Sequence, residues 1–194
     1  MSGRLPAARR RRQLLDVALE TFAAQGFHRT SMDDVAEGAG VTKPVLYQHF
    51  RSKRALYLEL LDDVGDRLME VIAKAVAAAH GPHRQVEAGF AAYFRFVAEE
   101  GSSFQLLFGS GARRDAEFAD AVSRVEDTIA EAVAPLIEAD IDPEHRKLLA
   151  YALVGLAEGT GRHWTEHQLD IDPDVLARRI AEMAWAGLRG VRRD

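Results

Sequence analysis

Residues 31–53, SMDDVAEGAGVTKPVLYQHFRSK, constrain the fold of this chain more than any other stretch, because start and stop signals alternate there at less than the length of an ordinary helix. Ser31 is a helix N-cap, with Asp34 three residues on as the second half of a capping box. Val35, Ala36 and Ala39 give the short helix its apolar side, and Gly40 breaks it. Thr42 is a second N-cap, and Pro44 falls in the first turn, where its missing N–H costs little. The helix so started carries Val45, Leu46, Tyr47 and Phe50 and breaks at Arg51-Ser52. Ser52 then caps a long helix from Lys53 to about Ala79, with Leu56, Leu60, Val64, Leu68, Val71 and Ile72 along one stripe.

Two short helices joined by a glycine turn make a helix-turn-helix when three requirements coincide. A small residue must sit where the helices cross, a glycine in the turn, and an apolar pin on the second helix. Ala36, Gly40 and Leu46 stand at those offsets. A plain hairpin of a helical bundle satisfies the same spacing. The exterior of the second helix separates the two readings, since a bundle connector has no use for Thr42, Lys43, Tyr47, Gln48 and His49 on one short helix. Against DNA each has a function. Lys43 and Gln48 can reach base edges, and Thr42, Tyr47, His49 and Lys53 can donate to phosphates. Val45 or the ring of Pro44 can touch a thymine methyl, and Ser31 completes the DNA-facing set. Arg9 to Arg12 can add phosphate contacts, reach a minor groove, or remain a solvated arm.

Around this stretch the chain reads as helix throughout. Residues 8–25 place Leu15, Ala18, Leu19, Phe22 and Ala23 on one face and stop at Gly26, with Phe27 packing back onto the core. After the loop His80-Gly81-Pro82-His83, helices are expected at 84–98, from Ser102 or Ser103 to Phe108, and, past a break at Gly109-Ser110-Gly111, at 113–138. Asp142-Pro143 and Asp172-Pro173 open two more, to about His167 and Gly190. No stretch has the period-two alternation of a strand. The expectation is an all-α fold of about nine helices, with a DNA-binding head over 1–54 and a ligand-binding and dimerisation domain over 55–194.

Charge divides the same way. Residues 1–54, Arg4 included, carry ten basic and five acidic groups, a balance of +5, whereas the remainder stands at −10. A basic head on an acidic body suits a polyanion-binding protein and discourages DNA from settling elsewhere. The chain has no cysteine, which excludes disulfides and thiolate chemistry and fits a reducing cytoplasm. MSGRLPAARRRR has no apolar run behind its arginines, so a secretory signal is not expected. Nor is a membrane span, since no apolar stretch approaches the roughly 20 residues required.

Residues 9–60, above all GFHRTSMDDVAEGAGVTKPVLYQHFRSKRALYLEL, resemble the DNA-binding domain of the tetracycline-repressor (TetR) family of transcriptional regulators. The matching marks are Gly26-Phe27, Thr30-Ser31, Val35-Ala36, Ala39-Gly40-Val41, Leu46-Tyr47-x-His49-Phe50 and Ser52-Lys53-x-x-Leu56. The resemblance implies a homodimer, a palindromic operator, and a ligand domain whose last two helices build a four-helix bundle with a second copy. It carries Thr42, Lys43, Pro44, Tyr47, His49 and Lys53 over as DNA contacts. Gln48 stands where the family varies, so its role is open.

The larger domain is less explicit. Residues 148–164 and 175–191 mix large apolar residues with alanine and glycine, a composition that permits close helix approach in a dimer or in an internal core. Six of the fifteen aromatic residues lie between 90 and 108, which fits an apolar ligand cavity or a packed core. Phe90, Tyr93, Phe94, Phe104 and Phe108 are the candidates to line a cavity for a flat aromatic or acyl-chain ligand, with His163 as a polar contact beside the weaker Arg95 and Glu158. His163-x-x-x-His167 lacks a third ligand, so neither a metal nor a cofactor is expected. The function expected is a transcriptional regulator, a repressor released from its operator by a small hydrophobic or aromatic effector. The alternatives are an activator of the same build, or a helical dimer without DNA binding that carries or converts a hydrophobic ligand. The chain has no Gly-x-Ser-x-Gly elbow, phosphate loop or cysteine nucleophile, and an enzyme is not expected.

Overall fold

The computed structural model describes residues 6–109 and 114–191. Among these residues there are nine α-helices and no strand. They are α1 (Ala7–Gln25), α2 (Met32–Gly38), α3 (Lys43–His49), α4 (Lys53–Ala78), α5 (Pro82–Glu99), α6 (Gly101–Phe108), α7 (Ala116–Val133), α8 (Pro143–Glu166) and α9 (Pro173–Gly190). None is long and apolar enough to cross a membrane. Arg4, Ser110, Gly111 and the expected helix start at Arg113 lie outside the described residues.

Most boundaries fall where capping chemistry puts them. Gly26 and Gly40 have φ of 78° and 62°, the left-handed region in which a side chain would be strained. Asp142 and Asp172 cap α8 and α9, each carboxylate accepting two backbone N–H bonds ahead of a proline in the first turn. The helix expected to run to residue 138 ends at Val133 and tightens into a 3-10 turn, Ala134–Leu136. Pro135 is the reason, since it has no N–H for an α-helical bond.

The chain forms two compact units. The first comprises residues 1–64 with 102–121, and the second comprises 65–101 with 122–194. In the first, Leu14, Ala18, Leu19 and Phe22 of α1 are buried together with Val35 and Ala36 of α2, Leu46 of α3 and Leu56, Tyr57, Leu60 and Leu61 of α4. Phe27 meets Tyr57 edge-on at 5.1 Å and Phe118 at 4.7 Å. Arg54 lies over Phe118 and bonds Asp115 and Glu117, so the start of α7 belongs to this unit, as does α6. In the second unit α5 packs along α9, and the Arg95 fork grips Asp174 at 2.7 and 3.1 Å.

Helix α4 supplies Lys53 to Val64 to the first unit and the rest of its length to the second. Its buried stripe runs Leu56, Tyr57, Leu60, Leu61, Val64, then Leu68 and Ile72. Steps of four residues drift around a helix by about 40° each. Val71, expected on the stripe, is therefore 39 % exposed. Gly65 sits where α4 meets α7. A Cβ added there would stand 2.5 Å from Val125 Cγ2.

Gly65→Ala removes a flexible residue from a helix interior, a change worth about 1 kcal/mol in favour of folding in open space. Here overpacking against Val125 costs about 1–3 kcal/mol. Thermal melting is expected to show a net fall in Tm for Gly65→Ala and recovery of most of it in Gly65→Ala with Val125→Ala. A rise in Tm for the single variant contradicts this packing.

Candidate nucleic-acid interface

The helix-turn-helix is built from short-range bonds. The Ser31 hydroxyl accepts the Asp34 N–H at 3.1 Å and the Asp34 carboxylate accepts the Ser31 N–H at 2.7 Å, so the capping box closes. Those bonds hold the Asp34 carboxyl below its ordinary pKa. At the turn, the Gly40 N–H donates to Glu37 and the Val41 N–H to Ala36. Leu46 is fully buried and Ala36 is 4 % exposed, so the pin and the small crossing residue are where the spacing put them.

Helix α3 turns the other way on its outer side. Thr42, Lys43, Pro44, Tyr47 and Gln48 are exposed, Val45 and His49 are half-buried, and Ser31 is exposed at the start of α2. Tyr47 is 44 % exposed, a large aromatic directed to solvent by a seven-residue helix. Thr42 occupies the N-cap position, but its hydroxyl makes no capping bond. Lys43 Nζ lies 2.9 Å from Asp33, whose carboxylate raises the lysine pKa, so the cation is shared between α2 and α3.

Two groups of basic residues bond within the protein. Lys53 Nζ donates to the carbonyls of Phe27 and Thr30 at 2.8 Å each and lies over the Phe27 ring. It fastens the start of α4 to the α1–α2 turn. The basic run is divided as well: Arg11 and Arg12 are engaged by Glu59 and Asp63 of α4, whereas Arg9 is exposed. Arg11 also donates to the backbone carbonyl of His49 at 2.9 Å. The sequence left Arg9 to Arg12 open between phosphate contacts and a solvated arm, and neither alternative included these acidic partners. The signal available was the spacing of Glu59 and Asp63, four residues apart on one face of a helix.

The candidate ligand residues separate. Phe90, Tyr93 and Phe94 are buried in the second unit, with Phe90 stacked on Phe94 at 6.4 Å and Phe94 edge-on to Trp164 at 6.2 Å. Burial, with Glu158 and Glu126 nearby, pushes the Tyr93 phenol well above its ordinary pKa. Phe104 and Phe108 pair at 5.2 Å in the first unit. His163 is exposed, its ring 4.2 Å from that of His167. An open cleft of ≈ 550 Å³ in the second unit is lined by other residues, among them Ala78, His80, Arg84 and Glu87. No group of three or more possible metal ligands is found among the described residues.

A capped helix-turn-helix with an outward aromatic, amide and cation, joined to a separate helical unit, defines a DNA-binding regulator of transcription. Residues 14–60 match the profile of bacterial regulatory proteins of the tetR family, and residues 82–187 match the tetracyclin repressor-like C-terminal domain. The chain is 33 % identical to the transcriptional activator FasR of Mycolicibacterium smegmatis, over 97 % of this chain and 87 % of that protein. It is 28 % identical to the transcriptional repressor KstR2 of Mycobacterium tuberculosis, over 94 % and 82 %. A TetR-like regulator from Rhodococcus sp. RHA1 superposes with a TM-score of 0.80 at 31 % identity, over 97 % of this chain and all of that one. FadR of Bacillus subtilis in complex with stearoyl-CoA has the same fold at 16 % identity, with a TM-score of 0.80 over 91 % and 98 %. The chain belongs to the TetR family of transcriptional regulators.

Proposed function

We propose that residues 1–54 form the operator-reading head of a homodimer, with α3 in the major groove of each half of a palindromic site. Lys43 and Gln48 meet base edges, Val45 and Pro44 meet a thymine methyl, and Ser31, Thr42, Tyr47 and His49 position the helix on phosphates. Lys53 serves binding through the fold, since its ammonium sits on two carbonyls. The exposure of Tyr47, Lys43 and Gln48 on a short helix whose Leu46 is fully buried is the observation that carries this reading. One such helix makes few contacts, and two half-sites held at fixed separation supply the affinity.

Dimerisation runs through α8 and α9. Leu148 is 64 % and Met183 52 % exposed, and Ala152, Gly155, Ala186 and Gly187 are exposed with them. A Cβ added at Gly155, Gly159 or Gly187 meets nothing within 4 Å in the single chain, which leaves room for a second backbone to approach. The effector is a small hydrophobic molecule held in the second unit, where Phe90, Tyr93 and Phe94 supply buried aromatic surface. The acyl chain of stearoyl-CoA, bound by a protein of the same fold, supports an acyl-type ligand over a flat aromatic one. Through α4, which continues from the head into the second unit, the effector changes the separation of the two recognition helices and releases the operator. This is the action of a repressor. Activation has one observation in its favour, the name of the 33 % identical FasR.

An operator obtained by selection from random DNA is the probe for two of three tests. Tyr47→Ala with Lys43→Ala is expected to lose operator binding at least about tenfold per contact removed, while sedimentation still shows a folded dimer. Unchanged binding by that double variant refutes the head. Gly155→Arg is expected to sediment as a monomer with undiminished helicity, and a persistent dimer refutes the α8–α9 interface. A long-chain acyl-CoA is expected to release the operator in a band shift at concentrations where coenzyme A and flat aromatic compounds do not. Release by the aromatic compounds alone overturns the acyl assignment.

A further inference from the structure

Helix α3 is seven residues long and buries Leu46 alone within its span. A helix of that length is marginal by itself, and one buried side chain leaves it free to pivot about that point. Its C-terminal end is held by a residue from another helix. Arg11 of α1 donates through Nη1 to the His49 carbonyl at 2.9 Å, the last residue of α3. Through Nη2 the same guanidinium pairs with the Glu59 carboxylate on α4. Its carbon lies 4.5 Å from the centroid of the Phe50 ring, the C-cap residue of α3, which is 2 % exposed. A cation at a helix C-terminus also meets the negative end of the helix dipole.

Neighbouring bonds repeat the arrangement. Arg12 bonds Asp63 at 2.5 Å, one turn beyond Glu59 on α4, and Gln13 Nε2 donates to the Ala39 carbonyl at the end of α2 at 3.3 Å. Three consecutive residues of α1 thus tie the ends of α2 and α3 to the first turns of α4. A guanidinium is suited to the central position because its rigid fork serves two acceptors in one plane while its face stacks on a ring.

We propose that Arg11, held by Glu59, is a positioning residue for operator recognition: it sets the pitch of α3 against α4 and does not itself bind DNA. This rests on the reading of α3 as the DNA-contacting helix. It also names the bond by which a movement of α4 reaches that helix, since Glu59 travels with α4 and His49 with α3.

Glu59→Gln separates this role from simple charge. Removing an acid from a DNA-binding head ordinarily strengthens attraction to phosphates, for operator and random duplex alike. A positioning pair gives the opposite sign on the operator alone. Glu59→Gln is expected to weaken operator binding about tenfold, within the range of coupling measured for residues in one hydrogen-bonded network. Binding to a random-sequence duplex and the salt slope stay at the wild-type values. Arg11→Lys keeps the charge but not the fork, and is expected to lose operator affinity similarly, with the double variant no weaker than either single one. If Glu59→Gln does not fold, as judged by helicity, Arg11→Lys decides. Tighter binding of both duplexes by Glu59→Gln, or a fall in salt slope of about one in Arg11→Lys, makes Arg11 a phosphate ligand and overturns the proposal. So does wild-type operator affinity in both variants. If the wild-type protein itself prefers no operator over random DNA, the DNA-contacting role of α3 fails and this inference with it.

Discussion

The head of this regulator depends on keeping a seven-residue helix in place. Nucleating a helix fixes several residues before the first bonds repay the lost entropy, so a helix this short has little stability of its own. Its outer side must remain polar, which leaves Leu46 as its one buried side chain and Phe50 just beyond its end. The rest of the first unit supplies what α3 lacks. The Ser31–Asp34 capping box fixes α2, the left-handed Gly40 sets the turn, and Arg11 and Lys53 bind the end of α3 and the α1–α2 turn to neighbouring helices. None of these bonds is strong alone. Together they define a direction for a helix that packing alone would leave loose.

The same economy of contacts shapes α4. Like α7, it is divided between the two compact units, and each half buries a different side. The buried stripe drifts around the helix and leaves Val71 outside. Gly65, at the change of unit, is tolerated in a helix interior because any side chain there would collide with Val125. Glu59 and Asp63 of α4 pair with Arg11 and Arg12 of α1 within the first unit. Several of the basic groups behind the +5 charge of residues 1–54 are paired within the protein. Arg11 and Arg12 face acids of α4, Arg54 is paired to Asp115 and Glu117, and Lys43 shares its charge with Asp33.

Much of the helical plan was legible because its signals are local. Proline, glycine, serine and aspartate act within a turn of where they stand, so the ends of α1, α2, α3, α8 and α9 could be read without knowledge of anything distant. The turn at Gly40 and the outward set of Thr42, Lys43, Tyr47 and Gln48 follow from the same short-range spacing. The early end of α7 was also local in cause, and Pro135 stood in view.

What the chain alone determined, then, is the all-helical content, the helix-turn-helix and the residues it shows to solvent, because each depends on bonds or periodicity within a few positions. Tertiary structure decided which cations pair with groups of the protein itself. A basic run reads the same whether its partner is a phosphate or a carboxylate 48 residues away, as with Arg11 and Glu59. It also decided that Phe104 and Phe108 pack in the first unit, and Phe90, Tyr93 and Phe94 in the second, although all five fall within nineteen residues of sequence. Aromatic clustering along a chain fixes no neighbour in space, because the break at Glu100 lets two adjacent helices turn to different cores.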